Sequence, residues 1–126
     1  MPVTNEQRAV VEKVFQAMHA RAEGEKVMAT LFADNATLTE PFSGEVRSHK
    51  GKSDIMAWFR SAVAEMPEDM AIKMNRLDLD GDRVRADWTC TSSVFPTPMK
   101  GSDYYRFAGG LISEAEFVVT EMPPMG

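Results

Sequence analysis

From Thr4 onward, apolar residues return every three or four positions. Val10, Val11, Val14, Phe15 and Met18 share one face, which predicts an amphipathic helix capped by Thr4 or Asn5. The stripe ends near Ala22, and Gly24 interrupts it. A second short helix is expected next, with Val27, Met28, Leu31 and Phe32 inward. Asp34-Asn35 then reads as a turn, and residues 36–40 as a strand stopped by Pro41. Residues 43–51 read as a loop. Ser53 is expected to cap a third helix that buries Ile55, Trp58, Phe59, Ala62, Val63 and Met66 and is closed by Pro67.

Beyond Pro67 the period drops to two. Residues 70–79 carry Ile72, Met74, Leu77 and Leu79, and the slip between Met74 and Leu77 predicts a bulge. Asp80-Gly81-Asp82 is a hairpin turn. Val84, Ala86, Trp88, Cys90, Ser92 and Val94 then alternate with polar residues along one long half-buried strand. Pro96-Thr97-Pro98 marks a connection, residues 99–107 a strand, Gly109-Gly110 a tight turn, and residues 111–120 the last strand. Pro123-Pro124 ends regular structure, and residues 121–126 are expected to form a flexible tail.

Helices first and strands afterwards predict an α+β domain, with about three N-terminal helices covering one face of a curved antiparallel sheet. A sheet covered in this way can enclose a pocket at its wide end. The 126 residues fit one domain, 1–126. A net charge of −5, with no clustered basic stripe, argues against nucleic acid as a partner. No apolar run approaches the roughly 20 residues that span a bilayer. Residues 1–6 lack the basic and apolar regions of a secretory signal. One cysteine, Cys90, forms no internal disulfide, and a cytoplasmic location is the expectation. Two histidines and one cysteine at no ligand-like spacing predict neither a metal site nor another cofactor.

Several segments together resemble a known superfamily. Residues 31–42 (Leu-Phe-Ala-Asp-Asn-Ala-Thr-Leu-Thr-Glu-Pro-Phe) are similar to the helix-to-strand signature of NTF2-like proteins, above all of the ketosteroid isomerase and SnoaL-like branches. Gly51 with Ile55 and Trp58-Phe59 continues that pattern. So do residues 80–84 with Trp88, residues 101–107 and residues 109–112. The resemblance spans about residues 5–120 and implies the cone-shaped NTF2-like roll. The superfamily holds isomerases, dehydratases, epoxide hydrolases, cyclases and domains without known chemistry.

The resemblance also implies roles. In ketosteroid isomerases the acidic residue before the strand-ending proline is the general base, and Glu40 stands there. A protonated acid in the penultimate strand donates a hydrogen bond to the oxyanion, and Asp103 stands there. A tyrosine on the first helix completes that machinery. Counting back without gaps reaches Gln16, and the helical period favours Phe15; neither carries a phenol.

Read as chemistry, Glu40 is either a desolvated base in a pocket or a strand-end carboxylate paired with Arg47 or Arg85. Asp103 shares a strand face with Tyr105 and Phe107. It is either a pocket acid or an inward Asp satisfied by backbone donors or Arg106. If both enter one pocket, each disfavours ionisation of the other, giving one base and one donor for proton transfer beside a carbonyl. His19 sits on the flank of the first helix, as a pocket acid–base group or a boundary residue. His49 is expected in a solvated loop, and Cys90 in the core. Phe15, His19, Trp58, Phe59, Trp88, Tyr105 and Phe117 are the candidate ligand-binding residues, with ordinary core as the alternative for most. Ten methionines predict an adaptable interior, with Met99, Met122 and Met125 candidates for the pocket mouth.

The readings are then an isomerase or lyase for an apolar cyclic carbonyl compound, a non-catalytic binding domain, or a polyketide cyclase-like enzyme. An epoxide hydrolase would need an Asp-Arg-Asp set, from which Arg85 and Arg106 face away. The expected partners are an apolar small molecule and a second copy of the chain in a homodimer; no membrane partner is expected.

Overall fold

The computed structural model describes residues 3–123. The first helix, α1 (Asn5–Ala20), opens on a capping box. The Gln7 N–H donates to the Thr4 hydroxyl at 3.0 Å, and the Thr4 N–H donates to Gln7 Oε1 at 3.1 Å. Where the stripe breaks, residues Arg21–Gly24 form a 3₁₀ turn leading into α2 (Glu25–Leu31). Gly24 is required there by close approach: a Cβ would lie 2.1 Å from the Ala17 carbonyl oxygen. Met28 and Leu31 are buried as expected, but Val27 is 43% exposed. Phe32 belongs to the following strand.

That strand, β1 (Phe32–Glu40), starts four residues earlier than its alternation suggests, because Asp34 and Asn35 are extended and exposed rather than turned. Residues 43–51, expected as loop, contain β2 (Arg47–Lys50), which pairs antiparallel with β1, Glu40 opposite Arg47. A four-residue polar edge strand buries too little to show any apolar period. Next, α3 (Lys52–Glu65) takes its cap position from Gly51 at φ 90°, not from Ser53, and no side chain caps it. It buries Ile55, Met56, Trp58, Phe59 and Val63 and ends just before Pro67.

Four strands follow: β3 (Ala71–Asp80), β4 (Arg83–Thr91), β5 (Met99–Ala108) and β6 (Leu111–Glu121). The bulge expected between Met74 and Leu77 falls between Met74 and Arg76. Val84, Ala86, Trp88 and Cys90 point inward, but the strand stops at Thr91. There the Ser92 hydroxyl and the Ser93 N–H both donate to Asp69 and turn the chain, leaving Val94 57% exposed.

The strands form one sheet in the order β2-β1-β6-β5-β4-β3. It is mixed rather than antiparallel, because β1 runs parallel to β6. Strand order in sequence carries no direction for a pair separated by a helix and four other strands. Register shifts in β1–β6, β3–β4 and β5–β6 bend the sheet around the helices. The core lies between: Val11, Met28, Phe32, Leu38, Ile55, Phe59, Tyr105 and Ile112 are fully covered. Of the segment expected as a tail, Glu121 ends β6 and Pro123 is buried. Residues 124–126, Met125 among them, lie outside the described residues, as do residues 1–2.

Candidate functional site

The register pairs Trp88 on β4 with Gly101 on β5. A Cβ at Gly101 would lie 2.3 Å from the Trp88 ring, so glycine is what lets the indole lie across β5. From that position Trp88 Nε1–H donates to Asp103 Oδ1 at 2.8 Å. The Tyr105 hydroxyl, two residues along the same face, donates to Asp103 Oδ2 at 2.9 Å. Asp103 is 7% exposed and Tyr105 is fully buried. Burial pushes the Asp103 carboxyl up to about 7, against the pull of the bonds from Tyr105 and Trp88. Burial, the Asp103 charge and their hydrogen bond push the Tyr105 phenol well above its ordinary value.

Asp103 forms part of the wall of a hollow of about 280 Å³ between α1, α3 and the inner sheet face. Phe15 and Met18 line it from α1, Trp58 and Glu65 from α3, Ile72 from β3, Cys90 from β4, Met99 from β5 and Phe117 from β6. The rings are clustered, with centroids 5.9 Å apart for Trp58 and Phe117 and 6.2 Å for Phe42 and Phe117. Burial pushes the Cys90 thiol up to about 11, so it lines the hollow as a neutral group.

Glu40 is fully buried but is not part of that wall. Its Oε1 accepts from the Phe42 N–H at 2.8 Å. Its Oε2 lies 2.8 Å from His49 Nε2 and 3.1 Å from the Arg47 guanidinium. His49, expected in solvent, is therefore half-buried beside a carboxylate, with its ring 5.8 Å from Trp58. His49 and Arg47 face a separate, open hollow between β2 and α3. The two acids are thus not brought together: Asp103 belongs to the apolar hollow and Glu40 to the β1–β2 edge.

Of the other candidates, Phe15, Trp58, Trp88 and Phe117 line the hollow with Asp103. Phe59 and Tyr105 are core behind it. His19 faces elsewhere: its Nδ1 lies 3.0 Å from the Phe15 carbonyl, and its Nε2 accepts the Ile72 N–H at 3.0 Å, pinning α1 to β3. Gln16 is exposed. The first helix offers no phenol, and the hydroxyl that bonds the Asp103 carboxyl is that of Tyr105 on the same strand. Met99 is at the hollow, whereas Met122 is 60% exposed. Sequence reasoning missed Phe42 and Phe95 as lining residues, each in a connection with no period to point it inward, and also Met70, which the parity of Ile72 and Met74 could have pointed inward. Among the described residues no three His, Cys, Asp or Glu side chains gather where they could hold a metal ion. Among the same residues no helix is long and apolar enough to cross a membrane.

The model of the SnoaL-like domain family matches residues 8–115. No curated protein matches the chain. Among solved structures, the chain is similar to a proposed ketosteroid isomerase from Kribbella flavida DSM 17836, at 23% identity and a TM-score of 0.72, covering 100% of this chain and 87% of that one. It is similar to a proposed SnoaL-like polyketide cyclase from Jannaschia sp. CCS1, at 12% identity and a TM-score of 0.76, covering 95% and 89%. It is also similar to a proposed isomerase of the SnoaL-like family from Agrobacterium tumefaciens str. C58, at 15% identity and a TM-score of 0.75, covering 94% and 100%. At these identities the structural likeness speaks for the fold alone. With the family match running from α1 into β6, the chain belongs to the SnoaL-like domain family.

Proposed function

We propose that the hollow binds an apolar cyclic small molecule and that Asp103 transfers a proton next to the molecule's carbonyl, as an isomerase or lyase does. The observation that carries this reading is a carboxyl on an apolar wall, held by two neutral donors and raised to about 7. Both protonation states are then populated near neutral pH, as a group that must take and return a proton requires. The ionised form takes a proton from the carbon beside the carbonyl. Charge moves onto the carbonyl oxygen, and the same proton returns at a second carbon, so no co-reactant is consumed. Phe15, Trp58, Trp88 and Phe117 supply the apolar walls, and Tyr105 orients the carboxyl.

Glu40, the other acid implied by the resemblance, would have to leave Arg47 and His49 to act in the hollow. Asp103 therefore carries the transfer in this reading. The pairing of Glu40 favours a second reading, a binding domain without turnover. A polyketide cyclase-like activity is the variant suggested by neighbours such as a proposed cyclase from Sinorhizobium meliloti. A homodimer through the outer sheet face and a cytoplasmic location belong to the same proposal, the first checked by mass in solution.

The test is Asp103→Asn, assayed for isomerisation and α-proton exchange over a panel of cyclic enones. The expected loss is about 100-fold or more in rate with ligand binding retained. Wild-type activity should rise as pH passes about 7, where Asp103 becomes a base. Rates unchanged in the variant would remove the proton-transfer reading and leave the binding domain.

A further inference from the structure

The charge of the hollow is one-sided. Two carboxyls line it, Asp103 on the wall and Glu65 at the rim in the last turn of α3, and no Lys, Arg or His does so among the described residues. Six aromatic side chains line it as well: Phe15, Phe42, Trp58, Trp88, Phe95 and Phe117. Their ring faces carry negative electrostatic potential that attracts cations. Met18, Met66, Met70 and Met99 add polarizable sulfur. Arg21 reaches the rim only through backbone: its guanidinium donates to the carbonyl oxygens of Val63, Met66 and Pro67. Each Asp103 oxygen accepts one bond from Trp88 or Tyr105, and a carboxylate oxygen can accept a second. The two carboxyls and the aromatic rings of this lining disfavour an anion and favour a cation of low hydration.

Resting on the reading of this hollow as the ligand site, we propose that it also takes an apolar cyclic ligand bearing a protonated amine, which occupies Asp103 and so blocks proton transfer there, with the ammonium at Asp103 and the hydrocarbon against the rings. A charge-assisted bond from N⁺–H to the carboxylate supplies orientation, and the aromatic walls supply burial. A neutral analogue keeps only the second contribution. A carboxylate analogue meets two like-charged groups and no counter-cation.

The amine competes with a proton for Asp103, so its affinity falls as pH drops through about 7. Trp88 from β4 and Tyr105 from β5 bond Asp103, and the groups that share the hollow with it are Cys90 from β4, Glu65 from α3, the uncharged Phe15 and Met18 from α1, and Phe117 from β6. Cys90 and Tyr105 stay neutral across pH 6–8. Neither histidine lines the hollow.

Both tryptophans of the chain line this hollow, so intrinsic fluorescence reports on it directly. The probes are 1-adamantylamine, 1-adamantanol and adamantane-1-carboxylate, which share one apolar cage and differ in charge. At pH 8 the amine should bind about tenfold tighter than the alcohol, with the carboxylate weakest. Amine affinity should fall up to about tenfold between pH 8 and pH 6 while that of the alcohol stays flat. Asp103→Asn should erase both the amine preference and its pH dependence, and Glu65→Gln should weaken the amine about twofold. An alcohol or carboxylate that binds at least as tightly as the amine overturns the charge selection and leaves the ligand site standing. So does an Asp103→Asn variant that holds the amine as well as wild type. Fluorescence unmoved by all three probes overturns the ligand site itself, and the amine proposal with it.

Discussion

Glu40 and Asp103 are both acids on the inner face of one sheet, on strands separated by β6, and both are buried. Their surroundings are opposite. Glu40 lies where β1 meets the edge strand β2, and that edge delivers a guanidinium, an imidazole and a backbone N–H to its two oxygens. Asp103 lies in the middle of the sheet, and its two partners are an indole and a phenol. A carboxylate with a cation in contact gains Coulomb energy against its desolvation cost. One with neutral donors recovers only part of that cost, so its proton is retained to higher pH. Depth of burial therefore does not decide which acid is reactive; the charge of the partners does. An edge strand can bring a long cationic side chain rooted in water, as Arg47 is at 50% exposure, and a central strand cannot.

The same acid-to-amide change should have opposite signs at the two places. Glu40→Gln leaves Arg47 and His49 without their shared anion and turns one amide N–H toward a donor. A loss of about 2–3 kcal/mol is expected in chemical denaturation, below the full cost of breaking a buried pair because Arg47 can turn to water. A loss under about 0.5 kcal/mol would mean that the edge cluster contributes nothing. Asp103→Asn should stabilise by about 1–2 kcal/mol at pH 8, part of the roughly 4 kcal/mol that raising a carboxyl from 3.8 to about 7 represents. The unfolded chain gives up this proton first as pH rises. Wild-type stability attributable to Asp103 is therefore greatest below about 3.8, falls between 3.8 and about 7, and is level above that. The gain from the variant should grow across that window in melts at a series of pH values. A destabilised variant at pH 8 would show that Asp103 is paired as well as Glu40.

How much of this contrast the chain displays in its residues follows from the same physics. Alternation in β4 and the aromatic neighbours of Asp103 on β5 already point that carboxyl inward, and the order of helices and strands already gives the α+β class. Glu40 also falls on an inward position of β1, after Ala36 and Leu38. The sequence offers Arg47 or Arg85 as its partner, but alternation cannot choose between them or add His49. Arg47 and His49 come from a strand of four exposed or half-exposed polar residues, and such a strand has no apolar face to reveal it. The parallel pairing of β1 with β6 is hidden for a related reason, since direction is settled by the path of the chain through α3 and not by any residue in either strand. Gly101 is legible only afterwards: its need for zero side chain is set by the Trp88 ring lying across it.

The smallest change sharpens the Asp103 half of the comparison without touching the carboxyl. Tyr105→Phe removes the 2.9 Å bond to Oδ2 and keeps the ring that packs edge-on to Phe117 at 6.4 Å. After burial, that bond is the largest influence on Asp103, and it favours the ionised form. Its loss should move the carboxyl further above about 7, visible as a higher midpoint in a carbon-detected NMR titration of the Asp103 side chain. Stability should drop by about 1 kcal/mol at pH 8, where an ionised Asp103 uses the bond fully. It should drop less at pH 5, where the group is protonated in the folded state and loses a weaker neutral partner. A midpoint that stays put or falls would mean that the phenol does not hold this carboxylate. The reading of Asp103 as an acid tuned by neutral donors would then lose one of its two supports, whereas the Glu40 cluster, which shares none of these atoms, should be unchanged by the substitution.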